Sequence, residues 1–175
     1  MNGLTALSVS IGVLAGLATF LAVGPLAGVF FIWALTISWA AYFALGGDDE
    51  AAKNVAICSV FGVAMAWYAA VQLTNIPADA ALGFPFMAAI VVTISVIVSC
   101  LAANLKVLSC IPATVLGYSA TFAYMLQTPD ILNADVLLAA NWSNPLLIVS
   151  FSLVLGVGFG IASGKLAAKW TTVEG

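Results

Sequence analysis

The chain contains no histidine and no arginine, and only 6% of its 175 residues are charged. Apart from their ends, its long apolar stretches contain no ionisable Asp, Glu or Lys. Pumps and proton-coupled transporters normally need an ionisable group inside the membrane. The sequence therefore argues against a proton relay, a voltage sensor or a carboxylate-based cation site.

Missing residues also argue against an intramembrane enzyme, a metal site and a cofactor. There is no histidine to act as a base or metal ligand, and the apolar stretches hold no paired carboxylates. The three cysteines, Cys58, Cys100 and Cys110, lack metal-ligand spacing and are expected to be small buried apolar residues. No basic cluster is present, so nucleic acid is not an expected partner.

Apolar residues make up 64% of the chain, whereas soluble domains carry roughly a quarter charged residues. A membrane-spanning helix needs about 20 apolar residues. Six such stretches occupy nearly the whole chain: 4–23, 27–45, 54–73, 82–104, 107–127 and 146–163. The predicted fold is one all-α membrane domain over residues 1–175, with six transmembrane helices in a lipid bilayer.

Charge distribution predicts the orientation of these spans. With six spans, every lysine lies on the same side as the N-terminus: Lys53, Lys106, Lys165 and Lys169. The three loops on the other side contain aspartates and no cation. Because cytoplasmic loops are enriched in lysine and arginine, both termini are predicted to be cytoplasmic.

Two connections are predicted to interrupt regular helix. Gly24 and Pro25 form a tight turn, with Pro25 suited to the start of the second helix. In the fifth span, Pro112 and Gly117 leave two alternatives for residues 105–111. This segment is either an irregular stretch that dips into the membrane or part of a proline-kinked helix.

A short internal repeat links the second and fifth spans. Residues 38–44 read Ser-Trp-Ala-Ala-Tyr-Phe-Ala, and residues 117–123 read Gly-Tyr-Ser-Ala-Thr-Phe-Ala. Both contain Ala-x-Phe-Ala with an aromatic residue two positions earlier. These spans are the middle helices of two three-span halves, so the pattern indicates a 3+3 inverted repeat, as found in transporters and channels.

The same segments resemble a small bacterial inner-membrane family known as domain of unknown function 1097. The resemblance covers most of the chain and rests on Ala-Tyr-Phe-Ala at 41–44, Ile-Pro-Ala-Thr-Val-Leu-Gly at 111–117 and Ala-Thr-Phe-Ala at 120–123. It implies a multi-spanning protein of the cytoplasmic membrane. It implies no substrate.

Without buried charge, polar groups inside the spans are hydroxyls, aromatic rings and backbone. Hydroxyl and carbonyl oxygens can replace the hydration of a neutral solute, while rings define pore width. If the halves face each other, Phe43 and Phe122 would approach near mid-membrane. The pore or solute-binding candidates are Phe43, Phe122, Tyr42, Thr121, Ser38, Ser119, Trp39 and Tyr118. The alternative is that both Phe rings only fill gaps between helices.

Glycine spacing predicts close helix packing. Such glycines let backbones approach, within one chain or between chains. They are Gly12 and Gly16 in the first span and Gly156, Gly160 and Gly164 in the sixth. Because six short spans enclose little volume, a homo-oligomer is expected.

The leading functional prediction is a channel or facilitator for a small uncharged polar solute, such as a urea-like amide, ammonia or a small alcohol. Two alternatives stay open. One is a non-transport membrane subunit or scaffold, favoured if the hydroxyls are scattered over separate helix interfaces. The other is a Na⁺-coupled secondary transporter, since such sites can be built from carbonyls and hydroxyls.

Overall fold

The computed structural model describes residues 1–77 and 79–172, and within them the chain forms seven α-helices and no strand. Four of these helices, α1, α3, α4 and α7, are long and apolar enough to cross a membrane. The helices are α1 Gly3–Val23, α2 Ile32–Ala44, α3 Asp49–Thr74, α4 Gly83–Leu101, α5 Ile111–Gln127, α6 Ala134–Leu138 and α7 Pro145–Trp170.

Helix ends follow local sequence where capping residues are present. Leu45 ends α2, and Gly46 and Gly47 then adopt positive φ angles of 122° and 70°, conformations that glycine tolerates best. The Asp48 side chain accepts a hydrogen bond from the Ala51 N–H and begins α3. The end of α2 and the start of α3 are therefore set by local backbone and capping chemistry.

Helices α2 and α5 begin later in the chain than the apolar stretches that contain them. Residues 24–31 form successive turns that include Pro25, so the prediction that Pro25 begins the second helix is wrong. Two short 3₁₀ turns, Ala102–Asn104 and Lys106–Leu108, precede α5. The kinked-helix alternative for 105–111 is also wrong, because regular helix begins only at Ile111.

Helices α2, α3, α5 and α7 form the centre of the fold. The closest helix pairs are α3 with α5 and α2 with α7, and α3 also packs along α7. Helix α1 lies against α7, and α4 lies against α3. The long helices α3 and α7 are much more buried than α1 and α4.

The outer surface is apolar, as expected of a protein solvated by lipid. Helix α4 buries only Ser95 and Ser99. It exposes isoleucine, valine and leucine side chains instead: Ile90, Ile94, Ile97, Val98 and Leu101. A helix that buries hydroxyls and exposes aliphatic side chains suits hydrocarbon, where small polar residues mediate helix contacts. Apolar helices and this surface define a membrane protein.

The short helix α6 covers one end of the bundle. The Trp67 Nε1–H of α3 donates to the Leu137 carbonyl at 2.8 Å. Asn144 then begins α7, its amide donating to the carbonyls of Leu137 and Ala139 at 2.8 and 2.9 Å. These bonds fix the connection between α5 and α7.

Candidate solute site

The centre of the bundle is closed by contacts between backbones. A Cβ on Gly62 of α3 would overlap the Thr114 carbonyl of α5, and one on Gly117 would overlap the Ser59 carbonyl of α3. A Cβ on Gly156 of α7 would overlap the Leu35 carbonyl of α2. Such contacts leave no space for a solute between these helix pairs, so any solute site must lie elsewhere.

The two phenylalanines of the repeated motif lie in separate clusters. Phe43 packs with the cluster around Trp39 and Phe30, whereas Phe122 packs with the cluster around Met125. The expectation that the Phe43 and Phe122 rings approach each other is therefore corrected. Phe43 lies at the C-terminal end of α2, whereas α5 meets the start of that helix, where the Phe31 ring lies 5.0 Å from the Tyr124 ring.

Three candidate hydroxyls donate to backbone carbonyls close in sequence. Ser38 Oγ donates to the Leu35 carbonyl at 3.1 Å, and Thr121 Oγ1 donates to the Gly117 carbonyl at 2.8 Å. The Tyr42 hydroxyl donates to the Gly47 carbonyl. These groups satisfy helix backbone and do not form a continuous polar track through the centre.

Tyr118 and Ser119 instead line a cavity of about 240 Å³ between α4 and α5. Hydroxyls and two valines form the lining: Val96, Ser99, Thr114, Val115, Tyr118 and Ser119. No charged side chain contributes to it. Most of the lining surface is apolar, its polar groups are neutral hydroxyls, and the sequence candidates Tyr118 and Ser119 are brought together there.

A hydrogen bond links a residue of this cavity to a residue of a second cavity that also borders α4. Ser95 Oγ and the Tyr118 hydroxyl are 2.8 Å apart. Ser95 lines a cavity of about 360 Å³ between α3 and α4, together with Tyr68 and Gln72. Ser99 Oγ donates to the Ser95 carbonyl at 2.7 Å. Ser95 and Ser99, absent from the predicted site, were recognisable only as buried hydroxyls.

Trp39 and Phe43 line a cavity of the same volume, about 240 Å³, between α1 and α2. Its other lining residues are Ile11, Ala15, Thr36 and Ala40. The Trp39 Nε1–H donates to Ser163 Oγ at 3.0 Å, and Thr36 Oγ1 donates to the Trp33 carbonyl at 3.0 Å. This cavity is thus almost entirely apolar.

The predicted packing glycines differ in their surroundings. A Cβ on Gly160 would press into the Tyr42 ring, and Gly164 has the Phe43 ring 4.0 Å from its Cβ position. A Cβ on Gly12 or Gly16 would have no neighbour within 4 Å. Helix α7 therefore uses its glycines to approach α2, whereas the α1 glycines face outward.

At one end of the bundle lies a charged cavity of about 550 Å³, lined by Asp49, Glu50, Lys53, Asn54, Lys106, Val107 and Ser109. Within the described part of the chain, no three His, Cys, Asp or Glu side chains are grouped as metal ligands would be. The charged cavity includes two of the four lysines.

The chain matches the family described as "Protein of unknown function (DUF1097)" over residues 8–168. This match spans most of the sequence, so the chain belongs to that family, and the resemblance noted in the sequence is confirmed. No curated protein and no solved structure matches the chain.

Proposed function

We propose that the protein is an inverted-repeat facilitator for a small uncharged polar solute, with six spans and both termini in the cytoplasm. The observation that carries the proposal is that the two halves of the chain pack in the same way. Inverted repeats with interrupted middle helices are a recurring construction of transporters.

The helix contacts support this two-fold relation. Exchanging α1 with α4, α2 with α5 and α3 with α7 converts each contact among these six helices into an observed contact. The α3–α5 contact becomes α7–α2, and the α1–α7 contact becomes α4–α3. The α3–α7 and α2–α5 contacts become themselves. An approximate two-fold axis between the halves accounts for all of these pairings.

Residue burial supports the same relation at finer detail. When Gly62 is aligned with Gly156, eight of the nine buried residues of α3 align with buried residues of α7. The pairs are Ala51 with Pro145, Val55 with Val149, Cys58 with Ser152, Ser59 with Leu153, Gly62 with Gly156, Val63 with Val157, Ala66 with Gly160, and Ala69 with Ser163. The two glycines also approach equivalent carbonyls, those of Thr114 and Leu35.

The buried residues of α2 and α5 match when the two helices are aligned on the Ala-x-Phe-Ala motif. It pairs Leu35 with Thr114, and five of the six buried residues of α2 then align with buried residues of α5. The pairs are Ala34 with Ala113, Leu35 with Thr114, Ser38 with Gly117, Ala41 with Ala120, and Tyr42 with Thr121. Sequence motif and packing therefore agree on one register.

Both irregular segments are held by equivalent side chains. Ser152 Oγ of α7 accepts from the Phe31 N–H at 2.8 Å, and Cys58 Sγ of α3 lies 3.7 Å from the Val107 carbonyl. Helix α2 rises only about 20 Å and α5 about 26 Å. Because hydrocarbon is about 30 Å thick, residues 24–31 and 105–110 would complete the two crossings, with their backbone covered by protein.

Lysine positions support the orientation. Lys53 and Lys106 line the same cavity. The Met1 amino group lies 3.5 Å from the Trp170 carbonyl at the end of α7, the helix that carries the other two lysines. Gly164 of α7 approaches Phe43 at the end of α2, next to the start of α3. All four lysines thus lie toward one end, which the positive-inside rule assigns to the cytoplasm.

Solute class follows from the α4–α5 cavity, whose polar groups are neutral hydroxyls. Such groups exchange hydrogen bonds with an amide, an alcohol or ammonia without stabilising an ion. Because this cavity opens at the bundle flank, a second copy of the chain would complete its wall in a homo-oligomer. The bacterial inner membrane is the location implied by the family resemblance.

Stopped-flow light scattering on proteoliposomes tests the function. Vesicles are challenged with gradients of urea, glycerol or ammonium and compared with empty vesicles. Accelerated relaxation for at least one solute is expected. Acceleration only in the presence of a Na⁺ gradient would identify a coupled transporter instead. No acceleration for any of the three would refute the facilitator.

A scaffold is the second candidate function, and the hydroxyl pattern favours it. Ser38, Thr121 and Ser152 all donate to carbonyls of their own helices. Hydroxyls used this way stabilise packing and leave no through-going polar path. Inactive vesicles that contain a folded oligomer would support this candidate.

A further inference from the structure

We propose that the cavity between α4 and α5 is the solute-binding chamber, and that the Tyr118–Ser95 hydrogen bond is the gate between it and the α3–α4 cavity. This inference rests on the proposed function and names its site. The corresponding cavity of the first half, between α1 and α2, is dry and binds no solute.

The two cavities of about 240 Å³ are equivalent under the alignment of α2 with α5, but their chemistry differs. Trp39 corresponds to Tyr118, and Ala40 corresponds to Ser119. Thr36, the hydroxyl of the first cavity, corresponds to Val115. The second cavity has four hydroxyl-bearing lining residues against one in the first. Shared architecture with unequal polarity points to binding in the second half only.

The hydroxyls of the second cavity retain capacity for a ligand. A hydroxyl offers one donor and two acceptor positions. Ser99 uses its proton on the Ser95 carbonyl, so its oxygen remains an acceptor. Thr114 Oγ1 donates to the Cys110 carbonyl over a long 3.4 Å. At about 30 Å³ per water molecule, the cavity has room for a molecule the size of urea or glycerol with bound water.

The gate follows from where the two bonded residues stand. Tyr118 lines the α4–α5 cavity, Ser95 lines the α3–α4 cavity, and their 2.8 Å hydrogen bond lies between the two. Helix α4 buries only Ser95 and Ser99 and makes few contacts with α5. An element with so few buried contacts moves at low free-energy cost, so rotation of Tyr118 with a small shift of α4 would connect the cavities.

Cysteine labelling tests the chamber without relying on flux. Ser119→Cys and its matched control Ala40→Cys are placed in a Cys100→Ala, Cys110→Ala background that keeps the fully buried Cys58. A methanethiosulfonate reagent reacts with thiolate, which forms only where water reaches the thiol. Ser119→Cys is expected to react roughly tenfold faster than Ala40→Cys, and the flux-positive solute is expected to slow its reaction.

Equal labelling rates at the two positions would overturn the chamber. If either variant fails to fold, Val115→Cys and its counterpart Thr36→Cys repeat the comparison one helical turn earlier. Faster labelling at Ser119→Cys with no flux of urea, glycerol or ammonia would support the solute-binding chamber and refute the proposed facilitator function. Solute flux combined with equal labelling of Ser119→Cys and Ala40→Cys would support the facilitator function and place the solute path outside the α4–α5 cavity.

The gate is tested by solute flux after substitution of the two residues that form the hydrogen bond. Tyr118→Phe and Ser95→Ala each remove the shared hydrogen bond, and each is expected to change the rate of solute flux by the same factor. Because both act on one bond, the double variant is expected to show no further change. Multiplicative effects of the two substitutions would overturn the gate.

Discussion

Replacing Gly62 by alanine would place a methyl group on the backbone of α5. The nearest atoms to the new Cβ are the carbonyl oxygen and carbon of Thr114 and the backbone nitrogen of Tyr118. Backbone atoms cannot move aside as a flexible side chain can, so α3 and α5 must separate. Overpacking costs typically 1–3 kcal/mol, and we expect about 3 kcal/mol here because the closest helix pair of the fold is affected.

Thermal unfolding in detergent measures this effect. A chain of this length loses about 2–4 °C in Tm per kcal/mol, so Gly62→Ala is expected to lower Tm by about 6–12 °C. Gly156→Ala, at the position paired with Gly62 in the proposed repeat, is expected to lower Tm by a similar amount, because its Cβ would overlap the Leu35 carbonyl.

Gly12→Ala is the matched control, since a Cβ there meets nothing within 4 Å. Alanine exceeds glycine in helix propensity by about 1 kcal/mol, so this variant is expected to melt at or slightly above the wild-type Tm. The packing argument fails if Gly62→Ala melts with Gly12→Ala. A large loss for Gly62→Ala with none for Gly156→Ala would contradict equivalent packing of the halves.

Three further predictions concern single sites. Asn144→Ala removes the cap of α7 and two bonds to the carbonyls of Leu137 and Ala139. It is expected to cost about 3 kcal/mol, as about 1 for the cap and about 1 per bond, seen as a lower Tm. Ser59→Ala is expected to be neutral or stabilising by up to about 1 kcal/mol, because Ser59 Oγ is buried without a partner in the described structure; a clear loss of Tm would show that it has one. Lys106→Cys and Asp135→Cys are expected to react with an impermeant maleimide from opposite sides of intact vesicles, and reaction from one side would contradict six spans.

The residues at which α2 and α5 begin could not be located from the sequence. The stretch from 24 to 31 is as apolar as a helix interior, so hydropathy extends the second span to residue 27. The structure begins α2 at Ile32 instead, after the Phe31 N–H bonds to Ser152, 121 positions away in the chain. A hydrogen bond over that separation is invisible to any local pattern.

The candidate site residues were likewise only partly predictable from the sequence. The sequence predicts Tyr118 and Ser119 as polar groups inside an apolar span, and they do line one cavity. The shared motif predicts that Phe43 and Phe122 approach each other, yet they lie in separate clusters. A repeated motif makes two positions equivalent; it does not make them neighbours, and an inverted repeat can carry equivalent residues to opposite ends.

The membrane class, the helical content and the family are predictable from the amino-acid sequence alone. These properties depend on composition and local backbone chemistry, since lipid requires apolar side chains and internally bonded backbone. The packed helices were needed to show which glycines meet a neighbouring backbone, where α2 and α5 begin, and which hydroxyls share a cavity. Those features depend on contacts between residues far apart in the chain, because each is created by the approach of a second helix.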